Sequence, residues 1–132
     1  MASGVKTAES AICARIEAVW SSNIAIAWPQ QDITPPDEES WLQVYVLWGD
    51  GFMETMEPTA GNRLYGVLQL DLYGPRGIGY GALLTLADTA RDMVNRWSGS
   101  GIQMGAASPP NKVDDETYAR LMIRTPFDVV DT

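Results

Sequence analysis

The stretch that decides the fold is LYGVLQLDLY (residues 64–73), which leads through GPRGIGYG (74–81) into ALLTLADTARDMVNRW (82–97). Leucine occupies every second position from Leu68 to Leu72, and such alternation is typical of a β-strand with one buried face. The last segment has apolar residues at helical spacing, namely Leu83, Leu84, Ala87, Ala90, Val94 and Trp97. A strand, a glycine-rich turn and an amphipathic helix therefore follow one another directly.

The second face of this strand carries polar side chains. Val67, Gln69, Asp71 and Tyr73 alternate with the leucines. A carboxylate and an amide are costly to bury without hydrogen-bond partners. We therefore expect this face to differ from an ordinary dry core.

Three segments on the N-terminal side extend the pattern. Thr7 precedes AESAICARIEAVW, whose apolar positions recur at three- and four-residue steps, so a helix capped by Thr7 is predicted. WLQVYVLW (41–48) alternates like the first strand. Ile24 to Trp28 is short and apolar, and Pro29 after it indicates a brief edge strand.

The remaining segments complete one domain. A loop is predicted from Gly49 to Asn62, and loops of this length are usually functional or disordered. GIQMGAAS (101–108) indicates a short strand, PPNKVDDE (109–116) a solvated turn and YARLMIRTPFDVV (118–130) a final strand. The whole pattern predicts a single α+β domain over residues 1–132, with a mixed or antiparallel β-sheet and two α-helices packed on one face.

Composition argues against catalysis. The chain of 132 residues contains no histidine, and Cys13 is its only cysteine. Histidine is the commonest general base and the usual partner of a nucleophilic serine or cysteine. The glycines of residues 74–81 lack the G-x-G-x-x-G spacing and a following Lys-Ser/Thr pair, which argues against a phosphate-binding loop. We predict no enzyme, no catalytic residue, no cofactor and no metal site.

The net charge of −8 is concentrated in the middle of the chain. No Lys or Arg lies between Arg15 and Arg63, and the acidic residues there are Glu17, Asp32, Asp37, Glu38, Glu39, Asp50, Glu54 and Glu57. An acidic field repels a phosphate backbone, so sequence-specific DNA or RNA binding is not expected. Acidity that serves solubility alone is the alternative.

No apolar run approaches the about 18 residues needed to cross a bilayer, and no membrane association or signal peptide is predicted.

An exposed apolar surface is predicted near the end of the 41–48 strand. Trp41 and Trp48 lie on opposite faces of that strand, so both cannot face a single core. The following loop adds apolar side chains among acidic ones, and adaptable Met-rich surfaces suit protein binding. The candidate protein-interface residues are Trp48, Phe52, Met53 and Met56. The alternative is that this loop folds back over the sheet.

Several stretches, taken in order, resemble the family of bacteriophage tail terminator proteins. They are an Ala-Trp-Pro strand end (27–29) with a Pro-Pro turn (35–36), WLQVYVLWG (41–49), the run at 65–88 and the closing strand YARLMIRTPFDV. Within the run at 65–88, the matching residues are Gln69, Asp71, Tyr73, Pro75, Gly77, Gly79, Leu86, Ala87 and Asp88. The resemblance covers most of the chain, about residues 7–128.

The resemblance implies an α+β protomer that assembles into a homohexameric ring. Such a ring caps the head-proximal end of the tail tube, ends tube polymerisation and offers a docking surface for the head. The implied partners are other copies of the chain, the tail tube protein and a head-completion or connector protein. The implied location is the tail or neck of the virion, with assembly in the host cytoplasm.

The acidic middle of the chain fits a ring through which DNA moves without specific binding. A wall of carboxylates does not hold phosphate groups. The candidate channel-lining residues are Asp37, Glu38, Glu39 and Asp71. A small monomeric or dimeric protein-binding module that uses the same Trp and Met surface is the alternative function, and native mass separates the two.

Overall fold

A computed structural model of the chain describes residues 5–20, 25–28, 40–53, 62–75, 80–99, 101–113 and 118–131. The helices are α1 (Val5–Val19) and α2 (Gly81–Val94). The strands are β1 (Ala25–Ala27), β2 (Trp41–Met53), β3 (Asn62–Pro75), β4 (Ser98–Gly99), β5 (Ile102–Met104), β6 (Asn111–Val113) and β7 (Tyr118–Asp131). Two helices and a seven-stranded mixed sheet confirm the predicted α+β class.

The sheet is built around three long strands. Its order is β1-β2-β3-β7-β5-β4, and β6 pairs with β7 on the side away from β3. β1 runs parallel to β2, and the other pairs are antiparallel. β3 and β7 pair over fourteen positions, which makes them the centre of the fold.

One core forms between the helices and one face of the sheet. The leucines that alternate along β3 are fully buried in it, together with alternate residues of β2 and β7. The helices contribute Ala8, Ile12 and Ile16 from α1 and Leu83, Ala87, Ala90, Met93 and Val94 from α2. The period of two in the strands and of about 3.6 in the helices therefore predicted the buried face of each element.

Several boundaries differ from the sequence prediction. α1 begins at Val5, so Thr7 lies inside the helix and does not cap it. β2 continues through Gly49 to Met53, because the chain resumes pairing with β3 after an irregularity between Trp48 and Gly51. The predicted loop is therefore wrong over its first residues, which form strand. The predicted turn at 109–116 contains β6, and Leu84 of the helical stripe is exposed.

The segment between β5 and β6 is tied to α2 and to β7. Arg91 donates from Nε to the carbonyl oxygen of Ser108 and from Nη2 to that of Ala107. Gly105 N donates to Pro126 O, and Ser108 exchanges hydrogen bonds with the backbone of Arg124. The edge of β7 that faces away from β3 is thus covered between β5 and β6.

Candidate assembly surface

The candidate assembly surface is the face of the sheet opposite the core. We call it the polar face; it carries the other alternate residues of β2, β3 and β7. The pairing register places Gln43 beside Asp71 and Met122, Tyr45 beside Gln69 and Arg124, and Trp41 beside Tyr73 and Arg120. Residues that are far apart in the chain therefore meet in rows across three strands.

An ion pair lies at the centre of the polar face. Arg120 Nη2 donates to Asp71 Oδ2 over 2.6 Å, and the Asp71 side chain is completely buried. A buried carboxylate without a partner would be strongly destabilising, so this guanidinium allows Asp71 to occupy a strand interior. Burial lowers the pKa of Arg120, but the hydrogen bond and charge of Asp71 outweigh it and raise the pKa above its ordinary value.

Hydrogen bonds extend this pair along the sheet. Gln69 Nε2 donates to both carboxylate oxygens of Asp71, at 3.2 and 3.4 Å, and Arg124 Nε donates to Gln69 Oε1 at 3.2 Å. The chain Arg124–Gln69–Asp71–Arg120 thus links two strands through side chains. Gln69 is also buried, so both polar side chains that the β3 sequence places on this face are satisfied internally.

Aromatic rings cover one end of the polar face. Trp41 stacks on Tyr73 with ring centroids 4.2 Å apart, and Tyr118 meets both rings edge-on. The guanidinium of Arg120 lies 5.4 Å from the Tyr73 ring centroid, within cation–π range. Trp41 is only 7% exposed, so this tryptophan is buried even though it lies opposite the main core.

The polar face also has apolar side chains in contact with solvent. Tyr45 and Leu47 of β2 are 36% and 47% exposed. At the far end of the same face, Arg63 pairs with Asp128 at 3.1 Å. A shallow groove lies next to that pair, lined by Tyr65, Gln103, Met104, Gly105, Pro126, Phe127 and Asp128.

Trp48 lies on the core face of β2 and is half-buried. Its ring meets Phe127 edge-on at 5.1 Å, over Gly66 of the strand between them. The indole Nε1 has no hydrogen-bond partner among the residues that the structure describes. The interface role of Trp48 stays a prediction.

The other predicted site residues fall differently. Phe52 and Met53 belong to β2, opposite Arg63 and Asn62 of β3, and their side chains are outside the described part of the structure. Asp37, Glu38, Glu39 and Met56 also lie outside the described residues. Asp71 is the exception, because it is described, buried and neutralised by Arg120. It does not present a bare carboxylate within the protomer.

The sequence pattern alone does not identify Arg120 and Arg124 as partners of the polar residues of β3. Both stand in the final strand at an even spacing, which puts them on one face, but only the pairing of β3 with β7 sets them opposite Tyr73 and Gln69.

Within the described ranges, no group of three or more His, Cys, Asp or Glu could hold a metal ion. No described helix is long and apolar enough to cross a membrane.

Comparison with known protein families gives a match over most of the chain. Residues 7–96 match the phage tail terminator protein family. The chain belongs to this family. Phage tail terminators are structural proteins rather than enzymes, so membership indicates a structural role in a phage tail, association with other tail components and a location in the virion.

Solved structures support the fold of this tail terminator family member. One of them is similar over 92% of this chain and 94% of its own, with a TM-score of 0.67 and 18% sequence identity. At that identity the similarity concerns the fold alone. No curated protein matches the chain.

Proposed function

We propose that this chain forms a homohexameric ring on the head-proximal end of the phage tail tube. The ring ends tube polymerisation and offers the surface on which the head or a neck connector docks. The observation that carries the proposal is the match to the phage tail terminator protein family over residues 7–96. The partners are other copies of the chain, the tube protein and a head-completion protein.

The electrostatics of the chain are compatible with DNA moving through such a ring. The net charge is −8, and the stretch between Arg15 and Arg63 holds eight acidic residues and no basic one. Six copies at this charge repel a phosphate backbone rather than retain it. We assign the channel wall to Asp37, Glu38 and Glu39.

Asp71, which the sequence also suggested as a channel-lining residue, is not assigned to the channel wall in this proposal. Because its charge is neutralised by Arg120 and its side chain is fully buried, it contributes little potential to a channel. In this proposal Asp71 holds the guanidinium of Arg120 in place. The side chains of the polar face then keep a single arrangement where that face approaches the channel opening or a neighbouring subunit.

Electron microscopy of assembling tails tests the proposal. Tube protein should polymerise to a defined length and carry a ring of density at one end when this chain is present. Without the chain, tubes should lack this ring and grow beyond that length. Native mass of the capped end should correspond to six copies. Tubes that look the same with and without the chain would contradict the capping role.

A small binding module predicts a different outcome. Such a module would stay monomeric or dimeric in the presence of tube protein and would leave tube length unchanged. Both readouts come from the same sample.

A further inference from the structure

The groove on the polar face is a concave site built from described residues. It lies over β7, with Tyr65 of β3 on one side and Gln103 of β5 on the other. Pro126 contributes a second ring to its lining, and Gly105 contributes backbone. The volume of the groove is about 360 Å³, which is close to the lower limit for ligand pockets. A groove of this size and lining suits a single apolar side chain of a partner.

Two arginines of the polar face border the groove. Arg63 Nη1 is bound to Oδ1 of Asp128, the acidic residue of the lining. Arg124 precedes Pro126 by two residues, so both side chains lie on the same face of β7, about 7 Å apart along the strand. The Arg124 side chain is exposed, and its Nε donates to Gln69. Neither Nη nitrogen of Arg124 has a hydrogen-bond partner among the residues that the structure describes.

A third arginine borders the groove in a strained backbone conformation. The N–H of Trp97 donates to the carbonyl oxygen of Val94. Between them Asn95 has φ −60° and ψ 113°, and Arg96 has φ 57°. This is the geometry of a type II turn, whose third residue needs a positive φ that glycine accepts without strain. Arg96 N donates to the carbonyl oxygen of Gly105 in the groove, and the Arg96 side chain is exposed. Backbone strain of this kind is concentrated at functional positions.

We propose that the groove binds an acidic segment of another virion protein. One apolar side chain of that segment lies in the groove against the rings of Tyr65 and Pro126. Its carboxylates contact the guanidinium groups of Arg96 and Arg124, which can form charge-assisted hydrogen bonds with them. The tail terminator family associates with other phage tail components, so the partner is one of these. The proposal does not depend on the capping function.

The charge of the whole chain restricts where such a segment can bind. A net charge of −8 repels an acidic partner at a distance. Physiological salt screens this repulsion over about 8–10 Å, so the charges in direct contact select the site. The one carboxylate of the groove lining, that of Asp128, is already paired with Arg63. The border of the groove is therefore a place on an acidic chain where carboxylates meet available cations.

A nucleic acid is the alternative anion, and the charge pattern disfavours it. Phosphate groups repeat along a whole strand, so they also meet the acidic surroundings of the groove. A short acidic segment can place its carboxylates on the arginines alone. An oligonucleotide is therefore one arm of the test.

NMR titration of the isotope-labelled full chain tests the site. The probe is the peptide acetyl-Glu-Asp-Leu-Asp-Glu-amide, and the controls replace its acids by Gln and Asn or its leucine by Gly. The acidic probe should shift the amide resonances of Gln103, Gly105 and Arg124 and should leave that of Asp88, on the exposed side of α2, in place. Both control peptides and a short thymidine oligonucleotide should bind more weakly.

Variants of the arginines give a second test. Arg124→Gln and Arg96→Gly should each weaken binding of the acidic probe about two- to fivefold, which is the range of an exposed ion pair. Lys6→Gln is the matched control, because it removes an exposed positive charge from α1. Arg96→Gly should weaken binding without lowering the melting temperature, since glycine accepts the positive φ. A purely structural arginine would show the opposite pattern.

Four results would overturn the proposal. They are equal binding of the acidic and neutral peptides, shifts on α2 as large as those at the groove, a Lys6→Gln effect equal to that of Arg124→Gln, and tighter binding of the oligonucleotide. Tube capping enters none of these measurements, so the two proposals fail separately.

Discussion

Arg120 Nη2 donates a 2.6 Å hydrogen bond to Asp71 Oδ2 across two strands on the face of the sheet opposite the core. The two partners differ in their access to water. The Asp71 side chain is 0% exposed, whereas the Arg120 side chain is 22% exposed. The carboxylate therefore depends on the guanidinium more than the guanidinium depends on the carboxylate.

This difference predicts unequal effects of removing each partner. Arg120→Met should lower the free energy of unfolding by about 3–5 kcal/mol, because it leaves a buried carboxylate without a counter-charge. Asp71→Asn should cost about 1–3 kcal/mol, since the remaining guanidinium can turn toward water. Urea unfolding of the two variants measures the difference.

A double variant and a control make the same experiment sharper. Asp71→Leu combined with Arg120→Met should recover much of the loss, because no charge then remains buried. Arg124→Met removes a hydrogen bond from an exposed side chain and should cost about 0.5–1.5 kcal/mol. The interpretation fails if Arg120→Met is no more destabilising than Asp71→Asn.

Gly66 is predicted to resist even the smallest side chain. A Cβ atom at this position would lie 2.6 Å from Phe127 Cζ and 2.8 Å from the carbonyl oxygen of Leu47. Gly66→Ala should therefore destabilise the protein by about 1–3 kcal/mol. Thermal unfolding measures the effect, with Gly81→Ala as control, because nothing lies within 4 Å of a Cβ there.

A second substitution distinguishes the two clashes at Gly66, one with the ring of Phe127 and one with the carbonyl oxygen of Leu47. Phe127→Leu added to Gly66→Ala should not restore stability, because the contact with the Leu47 carbonyl is with backbone. Full recovery in the double variant would show that only the ring blocks this position.

The thiol of Cys13 is predicted to react slowly. Burial raises its pKa above the ordinary value, and the nearby charges of Glu9 and Glu17 raise it further. Since the thiolate is the reactive form, alkylation by iodoacetamide at mildly alkaline pH should be slower in the folded protein than in urea. The preference for the neutral thiol adds stability at lower pH, and that contribution is lost as pH rises through the raised pKa.

Replacing Glu9 and Glu17 together by Gln should speed the alkylation of Cys13. Two surface substitutions of this kind should leave the unfolding midpoint nearly unchanged. Equal rates in the folded and urea-unfolded protein across the pH range would argue against a protected thiol.

Partner contact is predicted for the apolar side chains of Phe52 and Met53 in β2 and of Met56, which follows them in the sequence. Replacing Phe52, Met53 and Met56 together by Ser should change stability by under about 0.5 kcal/mol per site and should abolish capping of tubes. Tube length in electron micrographs is the readout. Leu84→Ser should fold and cap normally, whereas a triple variant that cannot fold would assign these side chains to the core.

Charge reversal in the acidic segment should make the protein retain DNA. Asp37, Glu38 and Glu39 replaced by Lys should give binding that weakens as salt rises, because lysines release counterions from the phosphate backbone. Gel retardation at several salt concentrations measures this, and Gln at the same positions is the neutral control. Wild-type protein that retains DNA equally well would remove the basis for the channel assignment.

The sequence by itself determined which residues are buried in each main element. Leucines at every second position of β3 and most of the apolar stripe of each helix face the core, because burial of apolar area follows the period of the local backbone. Leu84 of α2 is an exception and is exposed. It also indicated that Gln69 and Asp71 lie on a face that is not an ordinary apolar core. The order of its segments matched the phage tail terminator family. These properties depend on local spacing and residue type.

Only the tertiary structure decided which side chains satisfy the buried polar residues of β3. Arg120 lies 49 positions from Asp71, and nothing in their local sequences specifies that β3 pairs with β7 in the register that joins them. The extension of β2 to Met53 likewise depends on pairing with β3, since Gly49–Met53 has little strand character alone. Strand pairing is a non-local choice made by the whole core, so partners across strands emerge only when the chain is folded.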